Sequence, residues 1–489
     1  MKDDLNQIEQ LVTNLDDKGK ALIEKAYTFA KTAHGGQKRK SGEPYFIHVF
    51  STAKNLANLG MSPTVIASGF LHDVLEDTET TEEELTKEFG KEIVSLVKGV
   101  TKLGTVKYKG VERNVENLIK FFVSMSEDLR VLVIKLADRL HNIETLEHVR
   151  PDKQKRIALE TLEIYAPLAN RLSMGRLKGE LEDGAFKYAY PKEYEKVMEL
   201  LQGKKDVEEK YLHEVREMLV KKLKEEHLKN VTIDSRQKHP YSLWKKLIKY
   251  DMDIGKIYDI IAMRVMVDSI ADCYHVLGII HGLWVPVPNR IKDYIASPKA
   301  NGYQSLHTTI FTGTGGIVEI QIRTHEMHEK AEYGVAAHFA YKENKNMNDE
   351  KFEWVQKLHS LNQENQEKEK PEKFLENLKI DFFKDRVFVF TPMGDIIDLP
   401  EDASIVDFAY AVHTDIGDHV QGAIVNGKNV AINTKLKTND IVEIQVNKNS
   451  NPSSKWLDYA KTTLARKHIN NYLKENSLLS KFLSFKNRF

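Results

Sequence analysis

The sequence has little cysteine, no net charge and no long hydrophobic run. One cysteine, Cys273, stands among 489 residues, which excludes an internal disulfide framework and a zinc site built from cysteines. Lysine plus arginine and aspartate plus glutamate each total 72, so no bulk charge favours nucleic acid or a membrane surface. No apolar run approaches the roughly 20 residues that span a bilayer, and the polar, acidic start is unlike a secretory signal. These features predict a cytoplasmic protein without a membrane partner.

The chain is long enough for about three domains, and its hydrophobic spacing changes along the sequence. Residues from about 11 to 194 have helical spacing with short polar breaks. From about residue 231, strand and helix patterns alternate, ending in a strand at 316–322 and a long helix through Phe339. Segment 363–371 is charged and poor in apolar residues, which predicts a linker. A small mixed module of short strands and one helix follows.

One group of polar residues lies on a predicted helix that begins with the Ser-Pro pair at 62–63, a cap residue and a first-turn proline. The helix is predicted to continue to Asp77, which places His72 with Glu76, and Asp73 with Asp77, on one face. An imidazole beside a carboxylate supplies half the ligands of a divalent metal site. The second carboxylate pair is left to activate water.

Further metal ligands are available outside that helix. Asp138 lies on the polar edge of another predicted helix, and His48 stands at the start of a third. A His-Asp pair alone is common, and His48 or His141 taken singly is as well explained as an ordinary core or surface histidine. The spaced set of His48, His72, Asp73 and Asp138 is harder to explain without a metal ion.

A second group of polar residues falls in the loop 290–307, which leads into a predicted strand at 306–311. The loop contains cations, an amide, an aromatic ring and an imidazole, namely Arg290, Lys292, Lys299, Asn301, Tyr303 and His307. Cations neutralise polyphosphate, amides read polar edges, and a tyrosine can stack on a base. The alternative is a solvated basic loop. The strand that follows favours a nucleotide site at the edge of a sheet.

Two other segments supply charges that this site would need. A predicted strand-to-helix turn at 235–246, where backbone N–H groups can face phosphate, carries Arg236, Lys238, Ser242 and Lys246. Asp259 and Glu319, on neighbouring predicted strands, would hold Mg²⁺ against a triphosphate, and Glu319 could accept the proton of an attacking hydroxyl. Strand alternation places Gln321 on the same side as Glu319. The alternative is that these charges form structural ion pairs at a sheet edge. Clustering so many charges for that purpose would cost desolvation free energy.

Both groups resemble known enzyme domains. The spaced histidine and aspartate set is similar to that of the HD phosphohydrolase superfamily, and Arg-Lys-Ser-Gly-Glu-Pro-Tyr at 39–45 resembles its RelA/SpoT-type branch. Segments 235–246, 258–264, 290–307 and 319–323 resemble the synthetase domain of the same family. The resemblance implies a bifunctional enzyme of the stringent response. It would transfer pyrophosphate from ATP to the 3′-hydroxyl of GDP or GTP, and hydrolyse the 3′-pyrophosphate of (p)ppGpp to GDP or GTP plus pyrophosphate.

The resemblance also implies roles for residues of the hydrolase site. The implied Mn²⁺ ligands are His48, His72, Asp73 and Asp138. Glu76 and Asp77 would activate the attacking water, and Arg39 and Asn142 would contact the substrate. Val49 departs from the family, which usually has proline after the histidine. A change of this kind should leave metal binding intact.

For the synthetase site, the resemblance implies that Tyr303 stacks on guanine and that Arg236 and Arg264 flank the adenine. His307 and Gln321 would help to position the acceptor nucleotide. The implied phosphate ligands are the lysines Lys238, Lys246, Lys292 and Lys299. The tetrapeptide Arg-Ile-Lys-Asp at 290–293 matches the family's bifunctional members, and the unbroken hydrolase motifs agree with it.

Residues 386–446 resemble a TGS domain, a small ubiquitin-like module, most closely at Asp-Phe-Ala-Tyr-Ala-Val-His-Thr-Asp-Ile-Gly, 407–417. In this family the module contacts the 3′ end of uncharged tRNA on the ribosome, so the resemblance implies these partners for the full-length protein. Segment 418–422 departs from the family's Gly-His-x-Cys pattern. Segment 456–466 matches the start of the helical region that follows in the family.

The resemblance implies a multidomain chain with α and α+β parts. The expected parts are an all-α HD hydrolase domain (1–195), a mixed α/β nucleotidyltransferase-like synthetase domain (196–342), a charged linker (343–382), a β-grasp TGS domain (383–447) and the start of a C-terminal helical region (448–489).

Two other functions stay open at this point. One is an enzyme with a single working site, most simply a hydrolase with a weak synthetase, although intact Asp259, Glu319 and Tyr303 argue against it. The other is a non-catalytic tRNA- or ribosome-binding adapter that uses the TGS module. That function would leave the metal ligands unexplained.

Overall fold

The computed structural model describes residues 2–12, 15–101, 128–299, 301–313, 315–337 and 386–486. The chain divides into two compact units, residues 1–360 and 361–489. Within the described ranges, no helix is both long and apolar enough to cross a membrane. The predicted linker at 343–382 lies outside the described residues.

The first half of the first unit is helical over its described residues, as the sequence predicts. Its helices are α1 (Lys2–Glu9), α2 (Asp17–Ala33), α3 (Phe46–Asn58), α4 (Pro63–Leu71), α5 (Val74–Asp77), α6 (Glu82–Thr101), α7 (Leu129–Glu144), α8 (Pro151–Glu160), α9 (Ala166–Arg171) and α10 (Gly175–Ala189), with a 3₁₀ turn at Leu146–His148 and a π-helical turn at Thr161–Tyr165. The apolar stripe of α7 is buried at Leu129, Leu132, Val133, Leu136 and Leu140. Helices α3, α4 and α7 pack against one another, so the polar residues that they carry share one centre.

The prediction of one continuous helix from 62–63 to Asp77 is wrong. Helix α4 begins at Pro63 as expected but ends at Leu71, and α5 begins separately at Val74. The ring of His72 hydrogen-bonds back to the Gly69 carbonyl oxygen, and the Asp73 carbonyl accepts the first hydrogen bonds of α5. The break lies at the His-Asp pair itself, so the two predicted metal ligands stand between two helices rather than on one helical face.

The second half of the first unit is a five-stranded mixed sheet with helices beside it. Its elements are α11 (Pro191–Glu225), β1 (Thr232–Gln237), α12 (Pro240–Lys249), a 3₁₀ turn at Ile254–Lys256, β2 (Ile261–Val267), α13 (Ile270–Leu283), β3 (Lys292–Asp293), β4 (Leu306–Phe311), β5 (Ile317–Thr324) and α14 (His325–Tyr333). The strand order is β1-β2-β5-β4-β3, with β2 parallel to β5 and the other neighbours antiparallel.

The two faces of this sheet differ in character. Alternate residues of β2 and β5, such as Val265 and Ile320, pack in an apolar core with α11, α12 and α13. The intervening residues include Arg264, Glu319 and Gln321, which therefore share the other face. The predicted alternation along β5 is confirmed, and it gathers the polar side chains of the second group on one surface.

One prediction about this half is wrong. The helix after β5 was expected to run through Phe339, but α14 ends at Tyr333 because Gly334 has φ 55°, a left-handed conformation that does not continue a helix. Phe339 itself lies outside the described residues. The predicted boundary between residues 195 and 196 falls inside α11, whose apolar face packs in the core of the sheet half.

The second unit contains strands β6 (Arg386–Phe390), β7 (Ile396–Pro400), β8 (Val420–Val425), β9 (Lys428–Val430) and β10 (Val442–Val446), and helices α15 (Ile405–Val412), α16 (Thr414–Asp418), α17 (Trp456–Tyr459) and α18 (Thr463–Lys486). β6 and β7 form the predicted hairpin, and β8 lies between β10 and β9. Strand β9 was not predicted, because its three residues, Lys-Asn-Val, are too few to show an alternating pattern. The strands and α15 form the β-grasp fold expected for this part of the chain.

Asp407 ties the start of α15 to the segment that follows the sheet. Its buried carboxylate accepts hydrogen bonds from Ser404 and from the backbone N–H groups of Lys461 and Thr462. We expect Asp407→Ala to lower the free energy of unfolding by about 3 kcal/mol, because several buried donors lose their acceptor. Thermal denaturation of the full chain would measure this loss, with the exposed Asp415→Ala as control. Equal melting temperatures for the two variants would contradict the assignment.

Candidate functional sites

The metal ligands predicted from the sequence come together in the helical half. One ligand atom from each of His48, His72 and Asp138 lies within 4.8 Å of the others, and all three residues are buried. Oδ2 of Asp73 lies 3.0 Å from Nε2 of His72 and 3.4 Å from Nε2 of His48. Two imidazoles and two carboxylates therefore face one point.

The surroundings of His72 leave one ring nitrogen available to a cation. Nδ1 lies 2.7 Å from the Gly69 carbonyl oxygen, which can only accept, so Nδ1 carries the proton. Nε2 is buried and lies 3.0 Å from Oδ2 of Asp73, and among the described residues it makes no hydrogen bond of good geometry. A free imidazole lone pair beside carboxylates is a donor set that suits divalent transition metals. The residues present therefore fit a divalent metal ion.

Asp138 is oriented by its own helix. Its Oδ2 lies 2.7 Å from Nζ of Lys135, and its Oδ1 accepts a hydrogen bond of 2.6 Å from the side chain of Asn142. The carbonyl of Asn142 accepts in turn from Arg39 at 2.7 Å, and Arg39 also donates to Thr145 at 3.0 Å. The structure thus places the two predicted substrate contacts, Arg39 and Asn142, against each other beside the metal ligands.

The two acids predicted to activate water lie on α5, next to the metal ligands. Desolvation by the surrounding protein and the negative charges of Asp73 and Asp77 raise the pKa of Glu76 to about 7. A carboxyl group with this pKa can accept and release a proton near neutrality. The hydroxyl of Tyr45 lies 2.8 Å from Asp73 and 2.7 Å from Asp77, a contact that the sequence did not predict.

Sequence analysis considered His141 but assigned it no role in the site. It is buried, and its Nδ1 lies 2.8 Å from Nδ1 of His48 and 3.2 Å from a guanidinium nitrogen of Arg39. Burial and the nearby charges of His48 and Arg39 lower the pKa of His141 to about 3. The sequence offered one signal, the position of His141 three residues after Asp138, one helical turn along α7.

Asp259 is one of the two acids of the second candidate site, which lies on the sheet half. It lies two residues before β2 begins, and its Oδ2 lies 2.5 Å from Nζ of Lys238 and 2.6 Å from Nζ of Lys246. Burial would raise the pKa of Asp259, but the two ammonium groups outweigh it and lower the pKa to about 2. The carboxylate is therefore ionised at neutral pH and attracts positive charge.

Glu319 belongs to a hydrogen-bonded row on the polar face of the sheet. Its Oε1 lies 3.4 Å from Nδ1 of His307 and 3.0 Å from the amide nitrogen of Gln321. Nε2 of His307 lies 3.0 Å from the Tyr303 hydroxyl, and Gln321 also contacts Arg236 at 3.4 Å. Five residues that the sequence predicted from separate segments thus form one connected group.

The loop before β4 is folded back as a tight turn. The N–H of Lys299 bonds to the Tyr303 carbonyl, and Gly302 takes φ 75°, which favours glycine. Nζ of Lys299 lies 5.1 Å from the centre of the Tyr303 ring. Desolvation and the charges of Lys292 and Lys178 lower the pKa of Lys299 to about 8. The cations are therefore crowded together, as expected where an anion binds.

Two predicted members contact acidic residues outside this connected group. The hydroxyl of Ser242 lies 3.3 Å from a carboxylate oxygen of Glu182 on α10. Arg264 is buried, with Glu332 of α14 at 3.5 Å. Glu332 also contacts the buried Arg323 at 3.1 Å, and nothing in the local sequence pattern pointed to it.

The loop with Asn301 is also bonded to the helical half. The side-chain amide of Asn301 donates to the Asn170 carbonyl at 3.2 Å, and the Ser173 hydroxyl donates to the Asn301 carbonyl. The Asn301 side chain also accepts from the N–H of Tyr303. The turn that positions Tyr303 is therefore anchored on the end of α9 and the residues after it.

Comparison with protein families assigns a class to each part of the chain. Residues 26–175 match the HD domain, residues 235–346 match the region found in RelA/SpoT proteins, and residues 387–446 match the TGS domain. The candidate metal-ligand cluster lies in the first match and the group around Glu319 in the second. The resemblances drawn from the sequence are confirmed.

Curated relatives carry two kinds of enzyme name. The chain is 48% identical over 454 residues to a guanosine-3′,5′-bis(diphosphate) 3′-pyrophosphohydrolase of Aquifex aeolicus (strain VF5), covering 93% of this chain and 64% of the relative. It is 46% identical over 461 residues to a GTP pyrophosphokinase of Myxococcus xanthus, covering 93% and 60%. A probable guanosine-3′,5′-bis(diphosphate) 3′-pyrophosphohydrolase of Synechocystis sp. (strain ATCC 27184 / PCC 6803 / Kazusa) is 46% identical over 463 residues, covering 93% and 60%. The chain spans under two thirds of the length of these relatives, and over that length it is similar to proteins of the RelA/SpoT type.

Proposed function

We propose that this chain both makes and destroys (p)ppGpp, at two separate sites of its first unit. The observation that carries the proposal is the presence in one chain of a buried cluster of histidines and aspartates that fits a divalent ion and, separately, of two acids, of which Asp259 contacts two lysines. Relatives bear the names of a pyrophosphohydrolase and of a pyrophosphokinase, in agreement with both reactions. An adapter without catalysis would need neither site.

For hydrolysis, we propose that His48, His72, Asp73 and Asp138 hold Mn²⁺. The ion would supply a water of lowered pKa and would polarise the phosphate. Glu76 would accept the proton of the attacking water, a role that its pKa of about 7 supports, and Asp77 would assist it. Water attacks phosphorus of the 3′-pyrophosphate, the bond to the 3′-oxygen breaks, and GDP or GTP leaves with pyrophosphate as the second product.

Substrate binding in the hydrolase site is assigned to Arg39 and Asn142. Arg39 carries a fixed positive charge and stands beside the metal ligands, held there by Asn142 and Thr145. A guanidinium in this place can bind phosphate through two N–H groups or stack on a base.

For synthesis, we propose that Asp259 and Glu319 hold Mg²⁺, which would neutralise charge on the triphosphate. Glu319 would take the proton of the 3′-hydroxyl of GDP or GTP, supported by its contact with His307. The hydroxyl oxygen bonds to the β-phosphorus of ATP, the bond to the α-phosphate oxygen breaks, and AMP leaves. Phosphate charge would be balanced by Lys238, Lys246, Lys292 and Lys299.

The remaining roles in the synthetase site concern the bases and the acceptor. Tyr303 would stack on guanine, and Arg236 and Arg264 would flank adenine. His307, Gln321 and Asn301 would position the acceptor, and Ser242 would contact phosphate at the start of α12.

We expect Tyr303→Ala to raise the KM for GDP by about 10-fold or more, because base stacking on an aromatic ring contributes about 1–3 kcal/mol. Tyr303→Phe keeps the ring and loses only the contact with His307, so it should stay close to the wild-type KM. Initial rates of ppGpp formation at varied GDP concentrations measure both. If the two variants had equal KM values, the tyrosine would not act by stacking.

We further propose that the chain works in the cytoplasm and that its TGS domain contacts uncharged tRNA on the ribosome in the full-length protein. The TGS match and the absence of a bulk charge that would favour membranes support this. The proposed domains are 1–195, 196–342, 343–382, 383–447 and 448–489, with the first limit falling inside α11.

The experiment that tests the proposed function is nucleotide turnover in two separate reactions with the purified chain. ATP, GDP and Mg²⁺ should give ppGpp and AMP, and ppGpp with Mn²⁺ should give GDP and pyrophosphate. Turnover in one reaction alone would show that only the corresponding site is active. Inactivity in both would favour the adapter.

A further inference from the structure

The two buried histidines His48 and His141 share a short contact that decides which nitrogen of each ring carries a proton. Their Nδ1 atoms are 2.8 Å apart, and both rings are buried. A hydrogen bond between two ring nitrogens needs one N–H donor and one lone-pair acceptor. The contact by itself does not tell which ring donates.

Arg39 settles the direction of that hydrogen bond. A guanidinium group has N–H donors and no acceptor, and its NH1 nitrogen lies 3.2 Å from the same Nδ1 of His141. Two N–H donors therefore point at one nitrogen, which must carry a lone pair. Nδ1 of His141 is the acceptor, and Nδ1 of His48 is the donor.

We propose that His141 is a positioning residue that fixes the tautomer and the ring orientation of His48. With its proton held on Nδ1, His48 can offer the lone pair of Nε2 to an ion bound between Asp73 and Asp138, whose carboxylate oxygens lie 3.4 and 3.2 Å from Nε2. The arrangement parallels that of His72, whose Nδ1 donates to the Gly69 carbonyl. A metal-binding histidine usually donates its second ring N–H to an acceptor of this kind.

The same chain of contacts gives Arg39 a second role. By donating to Nδ1 of His141, Arg39 favours the tautomer of His141 in which Nδ1 carries no proton and can accept from His48. The guanidinium that is assigned to substrate is therefore linked to the metal ligand through one imidazole. The inference rests on the proposed metal-dependent hydrolysis, and it concerns the affinity for the ion rather than the chemical step.

The test compares Mn²⁺ binding to the full chain and two variants by isothermal titration calorimetry, without nucleotide. His141→Leu removes the acceptor at similar size, whereas His141→Asn keeps an oxygen acceptor close to the place of Nδ1. Loss of a partner that orients a metal ligand costs about 10- to 100-fold in affinity. We expect that loss in His141→Leu and an affinity within about threefold of wild type in His141→Asn.

Wild-type affinity in His141→Leu, or an equal loss in both variants, would overturn the inference. If His141→Leu lost its helical circular dichroism signal, His141→Gln would replace it. The longer glutamine side chain places its oxygen near the Nε2 position of the original ring, so it provides no acceptor at the position of Nδ1. Failure of the wild-type chain to bind Mn²⁺ would overturn the metal site and the proposed hydrolysis as well. A different outcome, in which the wild-type chain binds Mn²⁺ and the substitution has no effect, would overturn only the role of His141.

Discussion

The variant Asp259→Asn should lose synthesis of ppGpp by at least about a hundredfold, because it removes a preorganised charge from a transition state dominated by electrostatics. The same protein should hydrolyse ppGpp at the wild-type rate. Asparagine keeps the shape of the side chain and an acceptor for Lys238 and Lys246, so the fold around β2 is retained. The loss would therefore report the missing negative charge rather than unfolding.

The measurement is the initial rate of ppGpp formation from ATP and GDP with Mg²⁺. A matched control is Asp253→Asn, a half-exposed aspartate six residues earlier that caps a 3₁₀ turn and pairs with Lys256. Both activities should survive in the control. Synthesis at more than a tenth of the wild-type rate in Asp259→Asn would show that Asp259 holds no essential charge.

The variant His72→Asn should show the opposite pattern. We expect hydrolysis of ppGpp to fall by at least about a hundredfold, since metal assistance contributes several kcal/mol to such a reaction. The asparagine amide can still donate to the Gly69 carbonyl in place of Nδ1, but nothing replaces Nε2 as a ligand. Synthesis should continue, because Glu319 and its neighbours lie on the sheet and share no ligand with the metal cluster.

The matched control for this variant is His148→Asn, an exposed histidine of the same helical half. It should keep both activities. Hydrolysis and Mn²⁺ binding are measured on the same preparations. Retained hydrolysis in His72→Asn would contradict the assignment of this histidine as a ligand, whatever the state of the synthetase site.

Sequence patterns predicted those parts of the sites that depend on local spacing. Alternation along a strand placed Glu319 and Gln321 on one face, and the cap and proline at 62–63 marked the start of α4. The metal ligands were found because histidine and aspartate recur in a spacing that resembles a known family. The chemistry of each residue type then gave its expected role.

Contacts between distant segments could not be predicted in this way. His141 meets His48 across 93 positions of sequence, and Glu332 meets Arg264 only after α14 folds over the sheet. The break after Leu71 depends on the His72 ring bonding back to Gly69, which a helical pattern does not reveal. Ser242 was placed among phosphate ligands from its position in a turn, and its contact with Glu182 becomes visible only once α10 packs beside α12.

We propose that one chain carries two independent and opposing active sites. The decisive experiment measures both activities in parallel for the wild-type chain, Asp259→Asn and His72→Asn. We expect the wild type to perform both reactions, Asp259→Asn only to hydrolyse ppGpp and His72→Asn only to make it. Loss of both activities in either folded variant, or one reaction missing from the wild type, would contradict it.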